Sequence, residues 1–309
     1  MAKNIKILIT GINGFIGSNL EAYIRKQYPF WQIYGIDIKL KESKRRYIID
    51  LTEDNRELET LLSRIRPRYI FHLAGIVSNS DLKQLLKLNV LSTYSLFSAI
   101  QKIDGYSPRI IVPSSASEYG CLSSAKLPVR ENYPLKPINI YGFSKMIQTH
   151  LSLMFAENGL DIVIARIFNI SGRGIGTNLS IGKFARELAL IKKKKQRPVL
   201  ITKNLGAKRD FLDIQDICKC LLAIALRGKK GQVYNVCRGK SFLIRDLLKR
   251  LINISGMRGI RVVEDKTDSK KEITDSFGST VKLKKIIKNF KPISIEESLK
   301  NTYLSQFFS

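Results

Sequence analysis

Cysteine and histidine are scarce in this chain of 309 residues, with four of the first and two of the second. Cys121, Cys218, Cys220 and Cys237 contain no Cys-x2-Cys spacing, and only His72 and His150 are available to join them, so a structural zinc site is not expected. Cys218 and Cys220 stand two apart in a helix-like stretch and point to different faces; the thiols read as buried or half-exposed. A Gly-x-Ser-x-Gly hydrolase motif is absent, and neither histidine lies beside a serine or cysteine in such a setting, so neither is given a catalytic role. No apolar run approaches the roughly 18–20 residues that span a bilayer. The N-terminus lacks a signal-peptide layout, since Lys3 leads directly into the strand-like Ile5-Lys6-Ile7-Leu8-Ile9, and a cytoplasmic location is expected. Acidic residues are also few: 26 Asp and Glu stand against 53 Lys and Arg, for a formal charge of +27. Such a field attracts nucleic acid, anionic membrane, a dinucleotide or a sugar diphosphate alike. No zinc finger, aromatic RNA-binding motif or long basic arm accompanies it, so the charge reads as a solvated surface and no specific nucleic-acid partner is expected.

What is present is a hydrophobic fraction of 44%, enough for a sizeable core, arranged as alternating strands and helices. Strands are predicted at Ile5–Thr10, Gln32–Asp37, Tyr69–Leu73, Arg109–Pro113 and Asp161–Phe168, and helices at Gly14–Tyr28, Glu53–Ile65, Asp81–Ile103 and Ile140–Asn158. This alternation predicts an α/β fold, a doubly wound parallel sheet of Rossmann type. A glycine-rich loop after Asn169 precedes a helix at Lys183–Lys195, and a helix at Ile214–Leu226 with a strand at Gln232–Val236 returns to the sheet. Residues 1–170 with 214–238 are therefore expected to form the dinucleotide-binding domain, and 171–213 with 239–309 a smaller substrate-binding lobe over the carboxyl edge of the sheet.

Gly11, Gly14 and Gly17 follow the first strand and open a helix. A missing Cβ lets backbone approach a pyrophosphate, and the helix start supplies free amides and a positive dipole. Asp37 closes the second strand and can accept bonds from the adenosine ribose while repelling a 2′-phosphate, which favours NAD. Lys39, Lys44, Arg45 and Arg46 follow closely and could accommodate that phosphate, so NADP stays possible. Tyr141 and Lys145, four apart in a helical pattern, share a face; an ammonium there would lower the phenol's pKa and fit it for proton transfer, with Ser115 holding the same oxygen.

The Gly-x-x-Gly-x-x-Gly spacing resembles the extended short-chain dehydrogenase/reductase family, the nucleotide-sugar epimerases, dehydratases and reductases. The resemblance runs on through His72-Leu73-Ala74-Gly75, Asn89-Val90, Ser114-Ser115-Ala116-Ser117-Glu118-Tyr119-Gly120, Tyr141-Gly142-Phe143-Ser144-Lys145, Arg166-Ile167-Phe168-Asn169 and Lys208-Arg209-Asp210-Phe211. It implies Ser115, Tyr141 and Lys145 as the catalytic residues. It implies cofactor contacts from Gly11, Asn13, Gly14, Phe15, Ile16, Gly17, Asp37, Asp50, Leu51, Leu73, Ala74, Gly75, Asn89, Tyr141 and Lys145. Ser117, Asn169 and Arg209 are implied in substrate binding, and a homodimer joined through the helices at Asp81–Ile103 and Ile140–Asn158 is implied as well.

Sugar 4,6-dehydratases of this family carry an acidic pair where Ala116 and Ser117 stand here, with Glu118 one step displaced. The stretches 115–120, 208–216 and 233–246 look most like GDP-4-keto-6-deoxy-mannose reductases, which make GDP-rhamnose; UDP-hexose 4-epimerases are the alternative. Arg173 replaces a common proline, and the family's Arg-Pro pair is missing near Lys270-Lys271. A third reading, from another class, is a non-catalytic dinucleotide- or RNA-binding protein of the same fold.

Overall fold

A computed structural model describes residues 4–39, 41–53, 56–77, 81–265 and 273–307; Lys3, Lys270 and Lys271 lie outside the described residues. In chain order the strands are β1 (Lys6–Thr10), β2 (Gln32–Asp37), β3 (Arg46–Ile48), β4 (Tyr69–His72), β5 (Arg109–Ser115), β6 (Asp161–Ile167), β7 (Asn169–Ser171), β8 (Val199–Thr202), β9 (Lys208–Asp213), β10 (Val233–Val236), β11 (Ser241–Leu243), β12 (Arg261–Glu264) and β13 (Asp275–Ser276). The helices are α1 (Phe15–Gln27), α2 (Arg56–Ile65), α3 (Leu82–Leu86), α4 (Ser92–Gln101), α5 (Ile140–Glu157), α6 (Ser180–Lys192), α7 (Ile214–Arg227), α8 (Ile244–Ser255), α9 (Val281–Ile286) and α10 (Ile295–Ser305).

Seven strands form one parallel sheet in the order β10-β6-β5-β4-β1-β2-β3. The chain runs outward from β1 through β3 and then crosses to the other side at β4. The strand order therefore reverses between β1 and β4, the place where folds of this type open a ligand crevice. Alternate strand residues bury on opposite faces. Ile7, Ile9, Phe71, Ile111 and Val163 pack with α1 and α7, while Leu8, Ile70, Ile110, Val112 and Ile162 pack with α2, α4 and α5. With both faces covered, the strands read as nearly continuous apolar runs. Cys218 and Cys220 are both buried because α7 lies between the sheet, α1 and α9.

The smaller part joins β7, β9, β11 and β13 in one sheet and β8 with β12 in another. Its own core unites Phe184 and Leu188 of α6, Leu200 of β8, Leu247 and Leu251 of α8, and Leu299 of α10. Side chains of α10 bond the glycine loop after β7: Ser298 Oγ lies 2.7 Å from Ser171 Oγ, Thr302 Oγ1 accepts from Gly172 N at 2.8 Å, and Ser305 Oγ accepts from Gly174 N at 3.1 Å. Val129 and the 277–279 segment exchange backbone bonds, Val129 N to Phe277 O and Ser279 N to Val129 O.

Several element ends differ from the sequence-based expectation. The helix expected at Asp81–Ile103 is α3 and α4 joined by a π turn over Lys87–Leu91, which widens the helix by a residue where Asn89 and Thr93 must both face inward. The helix expected at Lys183–Lys195 starts at Ser180 and ends at Lys192, where Lys193 and Lys194 leave helical geometry, Lys194 at φ 56°. The strand expected to end at Pro113 continues to Ser115, paired with β6 throughout. Among the described residues no helix is long and apolar enough to cross a membrane.

Candidate active site

A single cleft at the carboxyl ends of the central strands collects most of the candidate residues. Ile16 from α1, Leu73, Ala74 and Gly75 after β4, and Asn89 line one part. Ser115 and Ser117, with Tyr141 and Lys145 from the first turns of α5, line the middle; Asn169 and Arg209 line the far side. Asn139 starts α5 by accepting from Gly142 N at 2.7 Å, and this cap sets where Tyr141 and Lys145 enter the cleft.

The glycine turn lies outside this cleft, at the start of α1, and its three glycines have different work. Gly11 has φ +66°, and a β-carbon there would meet Ala74 N at 2.7 Å. A β-carbon on Gly17 would meet Gly11 O at 2.2 Å. Both are close-packing glycines. Gly14 is the helix N-cap, and the nearest atom to a β-carbon there is Gly11 O at 3.0 Å. It presents bare backbone at a helix start whose first amides have no partner within the helix, a cradle suited to a pyrophosphate. Asp37 stands over the turn and accepts from Asn13 N at 3.0 Å and Lys39 N at 3.2 Å, while Asn13 Nδ2 bonds Lys39 O. Arg46 is turned away from this edge, paired with Glu21, and Arg45 lies over the Tyr34 ring. Phe15 is half-buried against the sheet core. Leu51 is buried under the β2–β3 edge, and Asp50 beside it is exposed. Burial pulls the Asp50 pKa upward, but two bonds from Thr52 and the Lys87 ammonium outweigh it and hold the carboxyl below its usual range. These residues fit a dinucleotide.

The electrostatics of the centre depart from expectation in one respect. Lys145 was expected to lower the Tyr141 phenol, yet its Nζ bonds Gln148 Oε1, one turn along α5. Burial pushes the Tyr141 phenol up to about 12, with the Ser115 hydroxyl opposing and the Glu118 carboxylate reinforcing the rise. Burial likewise pushes Lys145 down to about 8, with Glu118 opposing. As it stands the site holds a protonated phenol, the form that can donate.

Glu118 does not face the cleft. Its side chain is fully buried and accepts from Ser114 Oγ, from Ser115 N at 3.1 Å and from Thr149 Oγ1 at 3.1 Å, and it pairs with Arg166 at 3.1 Å. Ser115 Oγ accepts in turn from Ser117 N, so a capping box closes the 3-10 turn that carries both serines. Arg166, in one of the two motif segments that supply the substrate-binding candidates Asn169 and Arg209, is also buried; it bonds Tyr119 Oη at 2.9 Å and Glu131 O at 3.2 Å. In the second such segment Asp210 is buried and accepts from Arg238 N and Gly239 N; of the two stretches Ile167, Phe168, Asn169, Arg209 and Phe211 line the cleft, and Arg166 and Asp210 do not. Asn89 lines the cleft, but its amide is committed to Ile76 N, Ile76 O and Ser144 Oγ, which ties the end of β4 to α5. Sequence reasoning missed Thr93, Gln148 and Thr149, none of which belongs to a spaced motif. Burial of polar residues on the α4 and α5 faces is the signal, and it is visible only once the helices are placed.

The architecture and cleft define an α/β enzyme of the dinucleotide-binding type. The match extends further: residues 7–237 fit the NAD dependent epimerase/dehydratase family, and the chain belongs to that family. It is 31% identical over 265 residues to the GDP-6-deoxy-D-mannose reductase of Pseudomonas aeruginosa, covering 84% of this chain and 83% of that one. It is 27% identical over 254 residues to the GDP-6-deoxy-D-talose 4-dehydrogenase of Aggregatibacter actinomycetemcomitans, covering 81% and 80%. The structure of RMD from Pseudomonas aeruginosa complexed with NADPH superposes with a TM-score of 0.85 at 29% identity over 98% of both chains. UDP-glucuronic acid 4-epimerase from Bacillus cereus, solved with UDP-glucuronic acid and NAD, shares the fold with a TM-score of 0.82 at 24% identity over 98% of this chain and 99% of that one. The chain is thus an NAD(P)-dependent nucleotide-sugar enzyme of the oxidoreductase and epimerase kind.

Proposed function

We propose that this enzyme reduces the 4-keto group of a 4-keto-6-deoxy nucleotide sugar, of the type that converts GDP-4-keto-6-deoxy-mannose to GDP-rhamnose. The observation that carries the reading is the convergence of Ser115, Tyr141 and Lys145 on a cleft whose positions 116 and 117 hold no acid. Water elimination needs an acid and a base beyond the tyrosine, and Glu118, the nearest carboxylate in sequence, is buried in its pair with Arg166.

A nicotinamide dinucleotide held by this cleft would supply the hydride for C4. Tyr141 gives its phenolic proton to the C4 oxygen as that oxygen gains charge. Ser115 holds the same oxygen by a hydrogen bond, and Lys145 stabilises the phenolate that remains and positions the nicotinamide ribose. Gly14 with Asn13, Phe15 and Ile16 seats the pyrophosphate in a turn that Gly11 and Gly17 close by packing; Asp37 holds the adenosine ribose, Asp50 and Leu51 the adenine side, and Leu73, Ala74, Gly75 and Asn89 the inner half of the cofactor. Ser117, Asn169 and Arg209 hold the sugar diphosphate. Asp37 favours NAD, and the engagement of Arg46 by Glu21 supports that preference by removing one cation from a 2′-phosphate; the ratio of NADH- to NADPH-supported rates checks it. Residues 1–170 with 214–238 serve the cofactor, and 171–213 with 239–309 the substrate. We place the enzyme in the cytoplasm, as a homodimer.

The test is stoichiometry. With GDP-4-keto-6-deoxy-mannose, one NAD(P)H should be consumed for each sugar reduced, and Tyr141→Phe should slow turnover by roughly 10²–10⁴-fold with cofactor affinity retained. Interconversion of UDP-hexoses with no net cofactor loss would give the protein to the 4-epimerases instead, and full activity in Tyr141→Phe would discard the mechanism under either name.

A further inference from the structure

Beneath the cleft runs a chain of buried polar groups whose middle members, Thr93 and Gln148, belong to no motif. Thr93, on α4, gives its one hydroxyl proton to Asn89 O at 2.8 Å. Its oxygen also lies 2.7 Å from Gln148 Nε2 and 3.0 Å from His72 Nε2. With the Thr93 proton already committed, both neighbours must donate to it. His72 therefore carries its proton on Nε2, and its Nδ1 accepts from Thr10 Oγ1 at 2.9 Å. The Thr10 oxygen accepts in turn from Ala74 N at 3.2 Å. The polarity of the chain is thereby set from the end of β4 to α5. Gln148 must present its NH2 group to Thr93, so its carbonyl oxygen is the atom that meets Lys145 Nζ. A flipped amide would set two acceptors against each other at Thr93 and two donors against each other at Lys145. Thr10, His72, Thr93, Gln148 and Lys145 are all buried, so water cannot repair such a mismatch.

We infer that Gln148 is the positioning residue for Lys145: its oxygen anchors the ammonium, and its own orientation is dictated by Thr93 and, behind Thr93, by a neutral His72. The inference rests on the reading of Lys145 as catalytic, and it gives His72 a purpose other than acid–base chemistry. A protonated His72 would donate from both nitrogens and force the Thr10 hydroxyl to turn. Burial, aided by the Lys145 charge, prevents this by holding the ring neutral, with a pKa down to about 3. The other titratable groups around Lys145 are Tyr141 on its own helix and Glu118 on the turn after β5, which is paired with Arg166 of β6. Glu118 acts on Lys145 through its charge alone, and Gln148 is the direct hydrogen-bond partner shown for the ammonium.

Two near-isosteric variants test this with opposite signs. Gln148→Leu removes an acceptor from the charged lysine and should move the alkaline limb of the kcat–pH profile down by about one pH unit; Gln148→Glu should move it up by a similar amount. Thr93→Val frees the amide to flip and should reproduce the downward shift in part. A ligand-free readout runs beside the kinetics. The Lys145 ammonium ordinarily titrates near 10.5 and is held near 8 in the fold, so its burial makes stability rise with pH between those values. In Gln148→Leu that rise should begin at lower pH, and in Gln148→Glu at higher pH. Limbs that stay in place in both variants, or move the same way, would reduce Gln148 to a packing residue. Lys145→Met separates the two levels: turnover retained in that variant would remove the catalytic reading of Lys145, while opposite stability shifts in the Gln148 pair would still support the anchoring contact.

Discussion

The carboxylate of Glu118 meets the guanidinium of Arg166 at 3.1 Å in a place where the two side chains are 0% and 2% exposed. A buried pair of this kind does little for net stability against an apolar replacement, but removing one partner strands the other charge. Glu118→Gln should therefore destabilise the fold by about 3–5 kcal/mol, read as a drop in the urea midpoint with little change in slope. Glu118→Gln combined with Arg166→Met should recover part of the loss. A single variant within about 1 kcal/mol of the parent would mean that Arg166 finds other compensation.

The glycine turn predicts a contrast between two neighbours. Gly17→Val places side-chain atoms against backbone at Gly11 and should unfold the protein or lower its melting temperature sharply. Gly14→Val meets far less and should melt near the parent, yet lose NAD(P)H binding in a fluorescence titration. Equal cofactor affinity in the Gly14 variant would remove it from the phosphate cradle.

His72 predicts a pH effect on stability. Its pKa falls from 6.5 to about 3 on folding, so between those values the unfolded chain binds a proton that the native one does not. Its contribution is fully present above 6.5 and is lost as pH falls toward 3, by up to about 1.4 kcal/mol per unit. Asp210 and Asp216, both raised from 3.8 to about 6 by burial, act in the opposite sense between those two values. Comparison with His72→Gln isolates the effect: the parent should lose stability relative to the variant from pH 6.5 downward, and parallel curves would contradict the buried neutral ring.

An outer stripe on the α4 and α5 region predicts self-association. Leu91, Tyr94 and Met154 are each about half exposed, while Leu85, Leu96 and Phe155 beside them are buried in the protomer. The uncharged stripe suits the homodimer through these helices proposed above. Sedimentation equilibrium should show a dimer at micromolar concentration and a shift toward monomer in Met154→Arg, whose side chain lies outside the core. A monomeric parent would sink the assembly.

The repeating parts of the fold were legible in sequence because they bury on both faces or start at marked turns. β1, β2 and β6 announce themselves as apolar runs, α1 follows its glycines, and α5 follows Asn139. The pairing of Tyr141 with Lys145 was legible as a spacing, and the cleft does bring the two residues together with Ser115, Ser117, Asn169 and Arg209. What spacing could not convey was direction. Arg166 and Glu118 stand in segments that read as functional, and both turn into the interior: Arg166 because a strand residue faces core or cleft according to a pleat that sequence does not number, and Glu118 because the 3-10 turn after β5 folds it back onto Ser114 and Ser115. The expected lowering of the phenol pKa is absent for a related reason: burial raises it, and Gln148 holds the ammonium from one helical turn away. The short elements β7, β11 and β13 carry too few residues to show a period, and the π turn at Lys87–Leu91 breaks the period on which helix reading depends.

The bonds from α10 to the loop after β7, and those between Val129 and residues 277–279, bear on the order in which the molecule can be made. Each joins groups more than a hundred positions apart, with the later partner in the last forty residues. During translation the sheet strands through β6 emerge early and can collapse against α1, α2 and α5 while the rest of the message is still being read. The smaller part of the fold has no such start. Its glycine loop and its Val129 edge stay unpinned until the ribosome has released α10, so a nascent chain would possess its nucleotide-facing crevice well before it possessed a closed pocket.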